Sequence, residues 1–401
     1  MKVLLAFDSY KGSLASWEAG SVAAQAIRSV VPDADCEIVP MADGGEGTVE
    51  AVVRATSGKY ETIRISGPLG EEADARVGLI CDKEGQLTAV LEVAGICGLT
   101  MVGESGPNPL AASSSGVGEA IVHLLDKGLR RFVIGLGGSA TNDGGMGMLA
   151  ALGAEFRDAD GVRLAGSGGD LLRIDSVRLD RLDERLAECR FTIATDVSNP
   201  LCGRQGATMV YGRQKGVTDE LEIALDEAMN RYAQMVERAL TENQHHTLQQ
   251  LTGAFPAARK EVSSNLQNRL GAGAAGGLGF ALMAIGGVAV SGADWIIETS
   301  QLADRAAQAD WVITGEGRSD HQTLYGKLPL KVAEAAKRAG TGCILISGSL
   351  GDGIEQLAPY FHGCFSIVQE PSELKHCMEL AEPLLERTVR EVFRLIHFLN
   401  R

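Results

Sequence analysis

Val3-Leu4-Leu5-Ala6-Phe7, running into Asp8-Ser9-Tyr10-Lys11-Gly12-Ser13, opens the chain, and Trp311-Val312-Ile313-Thr314, running into Gly315-Glu316-Gly317-Arg318, repeats that grammar near its other end. In each case a short apolar run meets a polar glycine turn. After the first turn Ala19, Val22, Ala23, Ala26, Ile27 and Val30 fall at the i, i+3, i+4 spacing of a helix with one buried face. Glu37–Met41 then feeds Ala42-Asp43-Gly44-Gly45-Glu46-Gly47-Thr48 and another helix. Cys343–Ile346 feeds Ser347-Gly348-Ser349, and Phe365–Val368 precedes a closing helix. Strand, glycine turn and helix in series predict a parallel sheet wrapped by helices.

The middle of the chain reads differently. Asp74–Ile80 and Leu87–Val93 flank Asp82-Lys83-Glu84-Gly85, a hairpin signal, and Phe132–Leu136 and Phe191–Thr195 run into glycine- and Asn/Asp-rich loops. A long helix is expected from Thr218 to about Leu240, and the polar stretch 242–268 is expected to be peripheral. The expectation is an α/β protein of two unlike domains. Residues 1–65 and 291–401 form a discontinuous, doubly wound, Rossmann-like domain, and residues 66–290 an inserted mixed α/β domain.

Composition narrows the class. Among 401 residues, 37 Lys and Arg face 52 Asp and Glu, a net charge of −15, which speaks against nucleic-acid binding. Glycine supplies 50 residues, well above the roughly 7% of average usage. The eight cysteines show no C-x₂-C spacing and read as reduced thiols. Met1–Phe7 reaches Asp8 too soon for the apolar region of a signal peptide, and the uncharged Gly271–Ala293 is too rich in Gly and Ala for a membrane span. A cytoplasmic protein without a membrane partner is expected.

Five glycine turns stand where strands end, the place where open α/β sheets bind ligands. In the first, Lys11 beside Gly12 at a helix start suits a carboxylate or phosphate. In the second, Asp43 and Glu46 suit Mg²⁺ or a polyhydroxy substrate, or favour the next helix through its dipole. The third, Gly135-Leu136-Gly137-Gly138-Ser139-Ala140-Thr141-Asn142-Asp143-Gly144-Gly145, can cradle a phosphate with backbone amides; it also fits the G-x-G-x-x-A dinucleotide fingerprint. The fourth places Asp196 and Asn199 after a strand, with Lys215 downstream to meet negative oxygens. The fifth crowds Glu316, Arg318, Ser319, Asp320 and Lys327 around one turn, where Arg318 offers a fork for a carboxylate and Asp320 a base or metal partner. Such loops suit phosphoryl transfer, which needs amide cradles, Mg²⁺ and positioning more than a nucleophilic side chain. No Walker A sequence is present, since Gly326-Lys327 is followed by Leu328.

Taken together, "MADGGEGT" at 41–48, "GGSATNDGG" at 137–145, "DVSNPL" at 196–201, "QKG" at 214–216, "GAGAAGGLG" at 271–279 and "TGEGRSDHQTLYGKLP" at 314–329 closely resemble the bacterial glycerate kinase family of the first type. Two departures are Gly106-Pro107 before Asn108-Pro109, where members often carry Arg, and Arg213, where Pro is usual. The resemblance implies two unlike α/β domains, one built from both chain ends. It also implies phosphorylation of D-glycerate by ATP with Mg²⁺, giving 2-phosphoglycerate, in a cleft that closes to exclude water.

On that reading, Lys11 and Arg318 grip the glycerate carboxylate, with Asp43, Glu46 and Ser319 also toward substrate. ATP phosphates rest on Gly137, Gly138, Ser139, Asn142, Gly273, Gly276 and Lys327. Asp196 and Glu316 meet the metal, and Asp196, ahead of Asp320, orients or deprotonates the hydroxyl. Lys215 and Lys327 balance charge. A monomer or homodimer is expected. The rival readings are an NAD-dependent oxidoreductase using Gly135–Ala140 as its dinucleotide turn, and a non-catalytic sugar-acid-binding protein.

Overall fold

The computed structural model describes residues 1–81, 85–103, 106–242 and 265–399. They divide into two compact units, Met1–Asp43 with Glu50–Gly58 and Ala293–Arg401, and Gly44–Val49 with Lys59–Gly292.

The first unit is built on a five-stranded, wholly parallel sheet. Its order is Gly363–Ser366, Gly342–Ser347, Trp311–Thr314, Lys2–Leu5, Asp35–Ile38. The near-continuous burial of Lys2–Leu5, Trp311–Thr314 and Gly342–Ser347 requires a layer on each face. Val3, Leu5, Ile313, Ile344 and Ile346 bury one face in a core shared with Ala23 and Ile27 of helix Ser16–Val30 and with Leu385, Val389 and Phe393 of helix Ala381–Leu399. Helix Leu328–Ala339 packs on strands Trp311–Thr314 and Gly342–Ser347. Its start is set by Pro329 in the first turn and its end by Gly340, with φ 76°.

The chain order places a topological switch in this sheet. From Lys2–Leu5 the connection runs to Asp35–Ile38 on one side, and from Trp311–Thr314 it runs to Gly342–Ser347 on the other. The two connections therefore diverge between neighbouring strands. That divergence opens a crevice at their carboxyl ends, where Asp8 follows one strand and Gly315-Glu316 the other. The Asp8 amide donates to the Gly315 carbonyl at 2.9 Å, and Ser16 Oγ joins Phe7 to Met41 by donating to the Phe7 carbonyl and accepting the Met41 N–H.

The second unit has a six-stranded mixed sheet in the order Val288–Val290, Arg190–Ala194, Arg131–Gly135, Leu87–Glu92, Glu72–Cys81, Lys59–Ser66. The first four strands are parallel and the last two antiparallel. The expected pairing of 74–80 with 87–93 is present, with Gly78 opposite Val90; its turn residues 82–84 lie outside the described residues, as do 243–264 of the stretch expected to be peripheral. The domain boundary expected after residue 65 is corrected to Gly58/Lys59. Lys59–Ser66 pairs along its whole length with strand Glu72–Cys81, and so belongs to the second unit's sheet. The later boundary falls after Gly292 rather than 290, and Gly44–Val49 also joins the second unit. Helix Asp219–Glu242 buries Leu225, Ala228, Met229, Tyr232 and Val236. The uncharged segment is interior over residues 271–285, with Leu278–Ala284 a fully buried helix, and reaches the surface at residues 286–289. No helix among the described residues is long and apolar enough to cross a membrane.

Candidate functional site

In the first unit the switch-point crevice gathers charge. Asp8 is buried, and its Oδ1 accepts the Ser9 N–H at 2.7 Å. Burial, then the Asp43 carboxylate, push Asp8 up to about 7; Glu316 adds to the rise, and the Ser9 amide and Lys11 oppose it. Lys11 Nζ reaches Asp43 Oδ2 at 3.4 Å, and Asp43, ahead of Asp8 and Glu316, raises the Lys11 ammonium above its ordinary value. Loop 315–318 lies on this turn, because a Cβ on Gly317 would stand 3.6 Å from the Lys11 amide nitrogen.

Ser319, expected toward substrate, and Glu316, expected at the metal, both turn inward instead. Ser319 Oγ is fully buried between Glu316 Oε1 at 2.9 Å and Ser347 Oγ at 2.8 Å. Glu316 Oε1 also accepts Thr323 Oγ1–H, and its Oε2 faces Lys327 Nζ at 3.7 Å. Burial raises the Glu316 carboxyl against the pull of Lys327, Ser319 and Thr323. With its oxygens so engaged, Glu316 fixes the turn rather than a metal. Asp320 caps the short helix His321–Tyr325. Its Oδ1 accepts the Gln322 N–H at 2.9 Å and its Oδ2 the Arg318 Nε–H at 3.2 Å. Burial tends to raise Asp320, but the Gln322 amide, Lys327, His321 and Arg318 prevail and hold it below the carboxylate range. That makes it a weak base. Arg318 remains exposed at the end of this network.

In the second unit the parallel strands present the loops after Glu92, Gly135 and Ala194 on one sheet edge. Among the described residues the amides of Gly137, Gly138 and Ser139 make no hydrogen bond, and Gly138 is exposed. Below them lies Lys215, buried, whose Nζ donates to Ser139 Oγ at 2.7 Å and to the Thr141 carbonyl at 2.8 Å. Burial pulls its ammonium down to about 8, partly offset by Cys97 and Asp143. Asn142 is turned inward, its Nδ2 donating to Thr208 Oγ1 at 3.0 Å, so the loop offers backbone rather than that amide. Gly273 and Gly276 are interior as well. A Cβ would meet the Pro200 carbonyl oxygen at 2.2 Å in the first case and that of Thr141 at 2.0 Å in the second, so packing accounts for both glycines. Asp196 is exposed, and its Oδ1 accepts the Gly292 N–H at the start of helix Gly292–Thr299. Glu46 is exposed too.

Among the described residues no group of three or more His, Cys, Asp or Glu is placed to hold a metal ion. Asp196 belongs to the second unit and Glu316 to the first.

A family model described as "Glycerate kinase family" matches residues 3–397. The chain belongs to the glycerate kinase family. A glycerate kinase of Bacillus subtilis is 40% identical over 98% of the chain and 97% of its own length, and one of Halalkalibacterium halodurans 37% identical over 97% of each. A protein of Escherichia coli named glycerate 2-kinase is 39% identical over 88% of the chain and 87% of its own length. The crystal structure of a putative glycerate kinase 2 from Salmonella typhimurium LT2 superposes with a TM-score of 0.78 at 38% identity, covering 100% of this chain and 99% of that one.

Family membership removes the dinucleotide reading of Gly135–Ala140, and the geometry agrees. In this glycerate kinase family fold ten residues separate strand Arg131–Gly135 from helix Met146–Ala151, where a dinucleotide turn would pass straight into its helix.

Three acids escaped the sequence reading as individual groups. Asp143 is fully buried and accepts from Ser114 N and Oγ, Gly145 N and Gly147 N, which pins the 137–145 loop. Glu92, at a strand end, accepts the Val49 N–H of helix Thr48–Thr56 at 3.0 Å. Asp8 was visible only as the first residue of a polar turn.

Proposed function

We propose that the chain transfers the γ-phosphoryl group of ATP, carried as its Mg²⁺ complex, to the 2-hydroxyl of D-glycerate, giving 2-phospho-D-glycerate and ADP. The observation that carries this is membership of the glycerate kinase family over residues 3–397, and the relative named glycerate 2-kinase supports the position of transfer. Mg²⁺ enters with the nucleotide phosphates, since one or two carboxylates and the substrate phosphates commonly hold it.

Lys11 and Arg318 supply the cations for the glycerate carboxylate. The amides of Gly137, Gly138 and Ser139 supply donors for the phosphates, and the Lys215 ammonium beneath them polarises the Ser139 hydroxyl toward the same oxygens. The eight free cysteines agree with a reducing, cytoplasmic setting.

The test is ADP release over a panel of small hydroxy acids with MgATP, with the product identified by ³¹P NMR. D-glycerate is expected to lead the panel, with a phosphate monoester on C2. A phosphate on C3 corrects the position, and ADP release with no panel member ends the reading.

A further inference from the structure

The carboxylates at the sheet edge of the first unit differ in what remains for a ligand. Asp320 has both oxygens engaged, Glu316 is held by two hydroxyls and Lys327, and Asp43 is paired with Lys11. Asp8 is over nine-tenths buried, and only its Oδ1 is bonded, to the amide of its own neighbour. Its Oδ2 takes no hydrogen bond among the described residues, although Asp8 follows strand Lys2–Leu5 at the switch point with Asp43, Lys11 and Glu316 near enough to act on its charge.

We propose that Asp8 is a catalytic residue that takes the proton from the acceptor hydroxyl, an inference that rests on the phosphoryl-transfer reading above. A lone pair of the hydroxyl oxygen forms the new bond to the γ-phosphorus. The bond from that phosphorus to the β,γ-bridging oxygen breaks, its electron pair leaving with ADP. The hydroxyl proton passes to Asp8 Oδ2 and is later lost to water.

The surroundings suit the task. Burial and the facing Asp43 and Glu316 carboxylates keep Asp8 willing to hold a proton, while Lys11 and the Ser9 N–H keep its anion accessible. A base whose conjugate acid titrates near the working pH combines availability with driving force.

The experiment uses the full chain with D-glycerate and MgATP, comparing wild type, Asp8→Asn and Asp8→Glu from pH 5.5 to 9 by ADP release. Asp8→Asn is expected to lower kcat about 100-fold, with both KM values within about threefold and the acid limb of kcat near pH 7 gone. Asp8→Glu is expected to recover part of kcat. Asp8→Asn keeps an oxygen for the Ser9 amide and removes a buried charge. The Asp8 pKa is higher folded than unfolded, so stability falls as pH rises from about 4 to about 7; the variant is therefore expected to melt no lower than wild type at pH 8. Asp8→Asn with kcat within threefold of wild type, or with the acid limb unchanged, overturns the inference. A wild-type kcat without an acid limb overturns it too, whether or not the variant folds. Wild-type enzyme that releases no ADP with glycerate overturns the phosphoryl-transfer reading itself, which the variants' behaviour leaves standing in the other cases.

Discussion

Lys215→Met is expected to lower kcat/KM by about 10²–10³-fold while shifting the melting temperature by only a few degrees. The asymmetry follows from where the ammonium sits. Its two hydrogen bonds hold Ser139 Oγ and the Thr141 carbonyl beside Gly137 and the exposed Gly138, so losing it relaxes the loop proposed to receive phosphate. Against that loss, a thioether removes the cost of keeping a charge out of water, so stability changes little.

The pH dependence carries the stronger signature. The Lys215 pKa lies near 8 when folded and at the ordinary 10.5 when unfolded. Between those values the unfolded chain binds more protons, so this group makes stability rise as pH increases. Activity that needs the ammonium falls over the same window, through about pH 8. Wild type should thus lose kcat/KM while gaining resistance to heat above pH 8. Lys215→Met should show neither trend from this position. Parallel pH profiles of turnover and melting check it; activity and stability moving together in wild type would show that Lys215 acts only as a structural brace.

The contrast between Lys215 and Ser319 explains what was legible in the chain. Turns at strand ends announce themselves through glycine and polar residues, so Lys11, Arg318 and the 137–145 loop stand out as candidates from the sequence. A residue in an irregular turn has no periodicity to say which way it points. Ser319 and Asn142 were therefore read as facing a ligand, though both are fully buried, one beside Ser347 and the other beside Thr208. Asp8 went the opposite way, since its burial comes from a strand more than three hundred residues downstream that pairs with Lys2–Leu5. Lys59–Ser66 failed for a related reason. Its alternation of Ile63 and Ile65 with the polar Thr62, Arg64 and Ser66 marks a one-sided strand, but only pairing with Glu72–Cys81 assigns it to a sheet. The glycines at 273 and 276 show the converse, because loop glycines serve close backbone approach as readily as they serve a bound phosphate.

Gly315→Ala is expected to destabilise the first unit by about 3 kcal/mol or more, and to abolish turnover in the variant that remains folded. A Cβ at this position would stand 1.7 Å from the Ile346 carbonyl oxygen and 2.9 Å from Tyr10 Oη. Neither obstacle is the free end of a flexible side chain. The Ile346 carbonyl belongs to strand Gly342–Ser347, and it also accepts the buried Tyr10 hydroxyl at 2.6 Å. Relief therefore means separating strand Trp311–Thr314 from its neighbour or giving up the Tyr10 hydrogen bond in the interior. Either movement also displaces the Gly315 carbonyl, which accepts the Asp8 amide and so sets that carboxylate at the crevice. Gly340→Ala offers the control, because Gly340 has positive φ and no atom within 4 Å of a Cβ, so only the backbone preference of a helix end is lost, at about 1 kcal/mol. Urea unfolding of both variants, read beside ADP release, separates the two effects. A Gly315→Ala protein as stable as Gly340→Ala would mean that the two strand ends do not approach as closely as the switch-point crevice requires.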